Sequence, residues 1–85
     1  MRDDYTPDAA LEDIKVGLKL LQEIEADYPE SWEKGEDFLV DVREKLEDVQ
    51  TSIKDFQNVT PGQTQAIQNW CRGIRRWHPQ HRNDD

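Results

Sequence analysis

A single cysteine, Cys71, stands in the 85-residue sequence. It has no mate within the chain, so no internal disulfide is possible, which suits a reducing compartment. No run of about 18 apolar residues occurs, so a membrane-spanning helix is excluded. The opening Met1-Arg2-Asp3-Asp4-Tyr5-Thr6-Pro7 has no apolar stretch after its basic start. A secretory signal is therefore not expected, and a cytoplasmic location is. The four glycines are scattered, so there is no Gly-rich phosphate loop. Basic side chains are scarce: 11 Lys and Arg stand against 19 Asp and Glu, for a net charge of −8. No segment alternates apolar and polar residues as a strand would.

What remains is a polar chain with 34% hydrophobic and 35% charged residues. It is long enough for one domain, residues 1–85, with a small core. Chains not much shorter often need a metal, a disulfide or a partner subunit. A partner is therefore expected before any motif is considered.

The apolar spacing predicts three helices, at about 7–28, 32–58 and 61–78. The first opens on Thr6-Pro7-Asp8, an N-cap followed by a proline and an acid at the positive end of the helix dipole. Leu11, Ile14, Leu18, Leu21 and Tyr28 recur at helical spacing, and Tyr28-Pro29 ends the run. The second starts near Ser31, or a turn later at Gly35. Its seam is Leu39, Val42, Leu46, Val49, Ile53 and Phe56, at heptad spacing, with Asn58 as C-terminal cap. The third opens on Thr60-Pro61-Gly62-Gln63, a capping-box pattern. Ile67, Trp70, Ile74 and Trp77 form its apolar seam, and His78-Pro79 closes it. Residues 80–85 read as a disordered tail. Short loops favour antiparallel neighbours. The expected fold is an all-α three-helix bundle built on an antiparallel hairpin of helices two and three, with helix one packed across it.

Helix one has apolar residues on two faces. Leu11, Ile14, Leu18 and Leu21 make one; Val16, Leu20 and Ile24 make another. A helix apolar on two sides is usually buried on two sides. Either it sinks into a deep groove, or Val16, Leu20 and Ile24 contact a partner, most simply in a homodimer. Such a contact would contribute on the order of 5 kcal/mol before association costs. Trp32, between Pro29 and Gly35, either staples helix two to helix one or anchors a partner.

Charge is unevenly placed. Residues 1–58 carry 17 acidic and 7 basic side chains, net −10, whereas residues 59–82 carry four arginines and no acid. Asp37, Asp41, Glu44, Asp48 and Asp55 fall within roughly 60° on helix two, opposite its apolar seam. They form either a solvated face or a surface for a basic groove of another protein, by imitation of nucleic acid. Arg72, Arg75 and Arg76 cover the outer face of helix three, extended by His78, His81 and Arg82. These suit the helix C-terminus, salt bridges, or a nucleic-acid backbone; the net charge opposes the last.

No metal or other cofactor is expected. Cys71, His78 and His81 give three ligands at a spacing foreign to zinc sites. Cys71 has no positioned base for nucleophilic work. The carboxylates lie on helix exteriors, where nothing raises a pKa for acid–base chemistry. An enzyme is not expected.

Phe38-Leu39-Val40-Asp41-Val42, followed by Val59-Thr60-Pro61-Gly62-Gln63-Thr64-Gln65-Ala66-Ile67, resembles a helical hairpin of small phage-encoded proteins. Its features are an aromatic-led helix, a Thr/Ser-x-x-Gln cap and a following apolar helix. The resemblance covers about half the chain and carries over no functional residue. It implies a phage or mobile-element origin, and with it the class of small acidic inhibitors of host machinery, including anti-CRISPR and anti-restriction proteins. The expected function is a non-enzymatic protein-binding module directed at a basic surface on a nucleic-acid-handling protein. The alternatives are a nucleic-acid-binding accessory using the arginines of helix three and a purely structural oligomerisation module.

Overall fold

All three helices start on a proline, whose fixed φ suits the first helical position and whose missing N–H is not needed there. The computed structural model describes residues 6–81. It contains α1, Pro7–Asp27; α2, Pro29–Phe56; and α3, Pro61–Trp77. They pack as the all-α three-helix bundle that the apolar spacing predicts. The N-terminal residues 1–5, most of the expected tail and the candidate Arg82 lie outside the described residues.

Thr6 caps α1 by accepting from the Ala9 N–H at 3.1 Å. Thr60 caps α3 with a complete capping box: its hydroxyl accepts from the Gln63 N–H, and the Gln63 side chain accepts from the Thr60 N–H, each at 3.0 Å. Tyr28 alone separates α1 from α2. Its N–H donates to the Ile24 carbonyl and its carbonyl accepts from the Trp32 N–H, both at 3.0 Å. The proline after it denies Tyr28 the helical region, so the chain turns there within one residue.

α2 starts at Pro29, earlier than Ser31 or Gly35, because Pro29 itself serves as the first helical residue. The expected alternative start survives as a kink: Gly35 has φ −109° and ψ 15°. At the other end, the left-handed residue is Gln57, φ 53°, not Asn58. The Gln57 N–H donates to the Ile53 carbonyl at 2.7 Å.

α1 and α3 run parallel, with α2 antiparallel to both. Near the start of α1, the Asp13 carbonyl meets Cys71. Near its end, Glu23 meets His78. Arg43 of α2 reaches Glu25 of α1. α1 is the helix most deeply engaged with both neighbours, sunk between α2 and α3 rather than lying across them. Ile14, Leu21 and Ile24 of α1, Leu39, Val42, Leu46 and Ile53 of α2, and Ile67 and Ile74 of α3 make the core.

This arrangement corrects the two-sided reading of α1. Leu20 and Ile24 are buried inside the single chain, because α2 covers one flank of α1 and α3 the other. They are not available to a partner, and the apolar contact that pointed to a homodimer is removed. Val16 alone of that set stays exposed, at 43%. Phe56 corrects the heptad seam: it is 77% exposed. Pro7 and Leu11, at the start of α1, lie level with Ile53 and Gln57, so Phe56 stands at the last turn of the α1–α2 contact. Trp70 and Trp77 are half-buried at the margin of the core.

Candidate functional site

The carboxylate row stands on the continuous part of α2, after the Gly35 kink. Asp37, Asp41, Glu44, Asp48 and Asp55 are all exposed. At 1.5 Å per residue the row runs about 27 Å. Asp41 is tied to Lys45 one turn on, at 3.0 Å, with both side chains more than half exposed. Such a surface pair contributes little to stability. Asp37 has no ion pair among the described residues. Between the first three acids, Glu36 and Val40 help to line a shallow depression of about 380 Å³.

Trp32 is not an anchor for a partner. It is buried, and the Arg43 guanidinium lies 5.0 Å from its ring centroid while pairing with Glu25 at 3.1 Å. The Arg43–Glu25 pair, whose guanidinium lies over the Trp32 ring, joins α2 to α1.

On α3, Arg72 and Arg76 are exposed and Arg75 is half-buried. Arg72 and Arg76 border a groove of about 390 Å³ lined also by Phe38, Asn69, Gly73 and Trp77. Two glycines shape this contact. A Cβ on Gly73 would stand 2.6 Å from Phe38 Cζ, and one on Gly35 would stand 2.7 Å from Trp77 Cδ2. Each helix therefore gives up a side chain where an aromatic ring of the other approaches its backbone, Trp77 over Gly35 and the tip of Phe38 at Gly73. Phe38 keeps 38% of its surface exposed.

His78 is not part of a basic surface. It is 1% exposed, and its Nε2 lies 3.0 Å from Glu23 Oε1. Its Nδ1 accepts from the Gln80 N–H at 3.2 Å. An accepting Nδ1 places the ring proton on Nε2, which donates to Glu23. Tyr28 and His81 close on the ring edgewise, with centroids at 5.1 and 4.6 Å. His78 thus locks the end of α3 to the corner between α1 and α2.

No family model, curated protein or solved structure matches this chain.

Cys71 is buried, and its thiol donates weakly to the Asp13 carbonyl at 3.6 Å. Burial pushes its pKa above the ordinary value of 9.0; the Asp13 charge adds to this and Arg75 opposes it. Such a thiol is a poor nucleophile at neutral pH. Among the described residues, no three His, Cys, Asp or Glu side chains are grouped to hold a metal, and no helix is long and apolar enough to cross a membrane. A cleft of about 600 Å³ lies where Tyr28, Ser31, Lys34, Arg76 and Trp77 meet. The Ser31 hydroxyl donates to the Trp77 carbonyl at its edge.

Proposed function

We propose that this chain is a non-enzymatic protein-binding module that lays the carboxylate row of α2 on a basic surface of a nucleic-acid-handling protein. A small phage-type inhibitor of the anti-CRISPR or anti-restriction class would work in this way. The observation that carries the reading is the row itself: five exposed carboxylates along about 27 Å of one helix. Neighbours three or four residues apart are about 5–6 Å from each other and repel. The repulsion costs helix stability, and a basic surface would relieve it. The helix holds the row in one shape before binding, so little ordering entropy is lost on docking. Charge of one sign on a rigid face also speeds encounter with an opposite surface.

The test is capture of binding proteins from cell lysate at low salt, followed by measurement of Kd for the retained protein. Binding weakens as salt rises. The double substitution Asp41→Lys with Glu44→Lys weakens it by more than about tenfold. Equal affinity of that variant and the wild type rejects the docking face, and so does retention of no basic protein at all.

A further inference from the structure

Phe38 of α2 and Gly73 of α3 touch, and around this contact the two helices carry charges of opposite sign at the same spacing. Asp37 and Asp41 flank Phe38 on α2, one residue before it and three after. Arg72 and Arg76 flank Gly73 on α3, again one before and three after. Each pair spans one helical turn, about 6 Å. All four side chains are exposed, and Phe38 lies between the rows with more than a third of its surface uncovered. Arg72 makes no hydrogen bond or ion pair among the described residues, and Asp41 pairs only along its own helix, with Lys45.

We infer that this face is self-complementary and that its occupant is a second copy of the chain. A two-fold axis through Phe38, parallel to the α2–α3 groove, exchanges left and right while keeping each level along the helices. It sets Asp37 and Asp41 of each copy against Arg72 and Arg76 of the other, with the two Phe38 rings between them. That is the isologous arrangement of a two-fold dimer. A nucleic acid fits the face less well, because the same carboxylates that complete a second copy repel a polyanion. This interface shares no residue with the buried Leu20, Ile24 and Trp32. It uses one end of the acidic row, so self-association and docking on a basic partner compete.

The experiment is sedimentation equilibrium of the full chain at low salt, with circular dichroism to show that each variant is folded. The wild type sediments with a concentration-dependent mass rising from 10.0 kDa towards twice that value, and added salt returns it to monomer. Asp37→Lys with Asp41→Lys, and separately Arg72→Glu with Arg76→Glu, each weaken self-association by about tenfold or more through like-charge contacts. Mixed in equal amounts, the two variants form a heterodimer, since every repelling contact becomes an attracting one. A wild type that stays monomeric overturns the inference, as do folded variants that dimerise unchanged or a mixture that stays monomeric. Binding of a single-stranded oligonucleotide through Arg72 and Arg76 without self-association overturns it in favour of nucleic acid. No partner protein enters the assay, so its failure leaves the docking proposal standing.

Discussion

Adding one methyl group at Gly35 tests the packing of α2 on α3 directly. In Gly35→Ala the new Cβ would stand 2.7, 2.8 and 3.0 Å from Trp77 Cδ2, Cε2 and Cε3. Carbon atoms rest comfortably at about 3.5–4.0 Å, so the indole must retreat by close to 1 Å. Ser31 bonds the Trp77 carbonyl and holds the backbone in place, so the strain falls on the ring. Overpacking of this kind costs about 1–3 kcal/mol. The usual gain from replacing a helical glycine is small here, because Gly35 sits at a kink and not in regular helix. We expect a loss of about 2 kcal/mol, which for a domain of this size lowers Tm by about 8–16 °C. Gly73→Ala is the control. Its Cβ would meet Phe38 Cζ at 2.6 Å, but Cζ is the free tip of a part-exposed ring that can swing outward. The helix gain of about 1 kcal/mol then offsets much of the clash, leaving a net change within about 1 kcal/mol. Thermal and urea unfolding followed by circular dichroism measure both. In a Trp77→Leu background the cost of Gly35→Ala should fall to under about 0.5 kcal/mol. A Gly35→Ala protein as stable as the wild type, or equal losses at the two glycines, refutes the reasoning.

Two further outcomes follow from the buried polar groups. His78→Ala removes the bonds to Glu23 and to the Gln80 N–H and opens a cavity, so urea unfolding should show a loss of about 2–4 kcal/mol; Glu23→Gln keeps an acceptor for Nε2 and should cost less than about 1 kcal/mol, and equal losses would contradict the neutral donor. The raised pKa of Cys71 means that the folded chain holds the thiol proton more tightly than the unfolded one, so its contribution is complete below the unfolded value of 9.0 and is lost as pH rises through the folded value. Relative to Cys71→Ala, the wild-type urea midpoint should therefore fall above pH 9, and a midpoint that rises instead would reverse the sign.

Much of the fold was legible because helix caps and apolar spacing are local signals. Thr6-Pro7 and Thr60-Pro61 mark two helix starts within a residue, and the spacing of Leu39, Val42, Leu46 and Ile53 marks the buried face of α2. Which neighbour covers a face is not local. Val16, Leu20 and Ile24 form one stripe on a wheel, yet the bundle buries two of them and leaves the third in water. Gly35 and Gly73 carried an overlooked signal: a glycine inside a helix costs about 1 kcal/mol against alanine, and a close contact commonly explains it. The carboxylate row was fully readable, since a seam on one side of a helix fixes what stands on the other. His78 was not, because it extends the run of Arg72, Arg75 and Arg76, while its actual partner, Glu23, is 55 residues away.

The one-residue joint at Tyr28 sets where this chain tolerates alteration. Both backbone groups of Tyr28 are spoken for, so an added residue there would break two bonds and rotate one helix against the other. At the corner of residues 57–60, Asn58 stands exposed between the Gln57 and Thr60 caps and makes no hydrogen bond among the described residues. A fluorescent tag, a protease site or new chain ends belong at Asn58 in that second corner, which leaves both neighbouring caps intact.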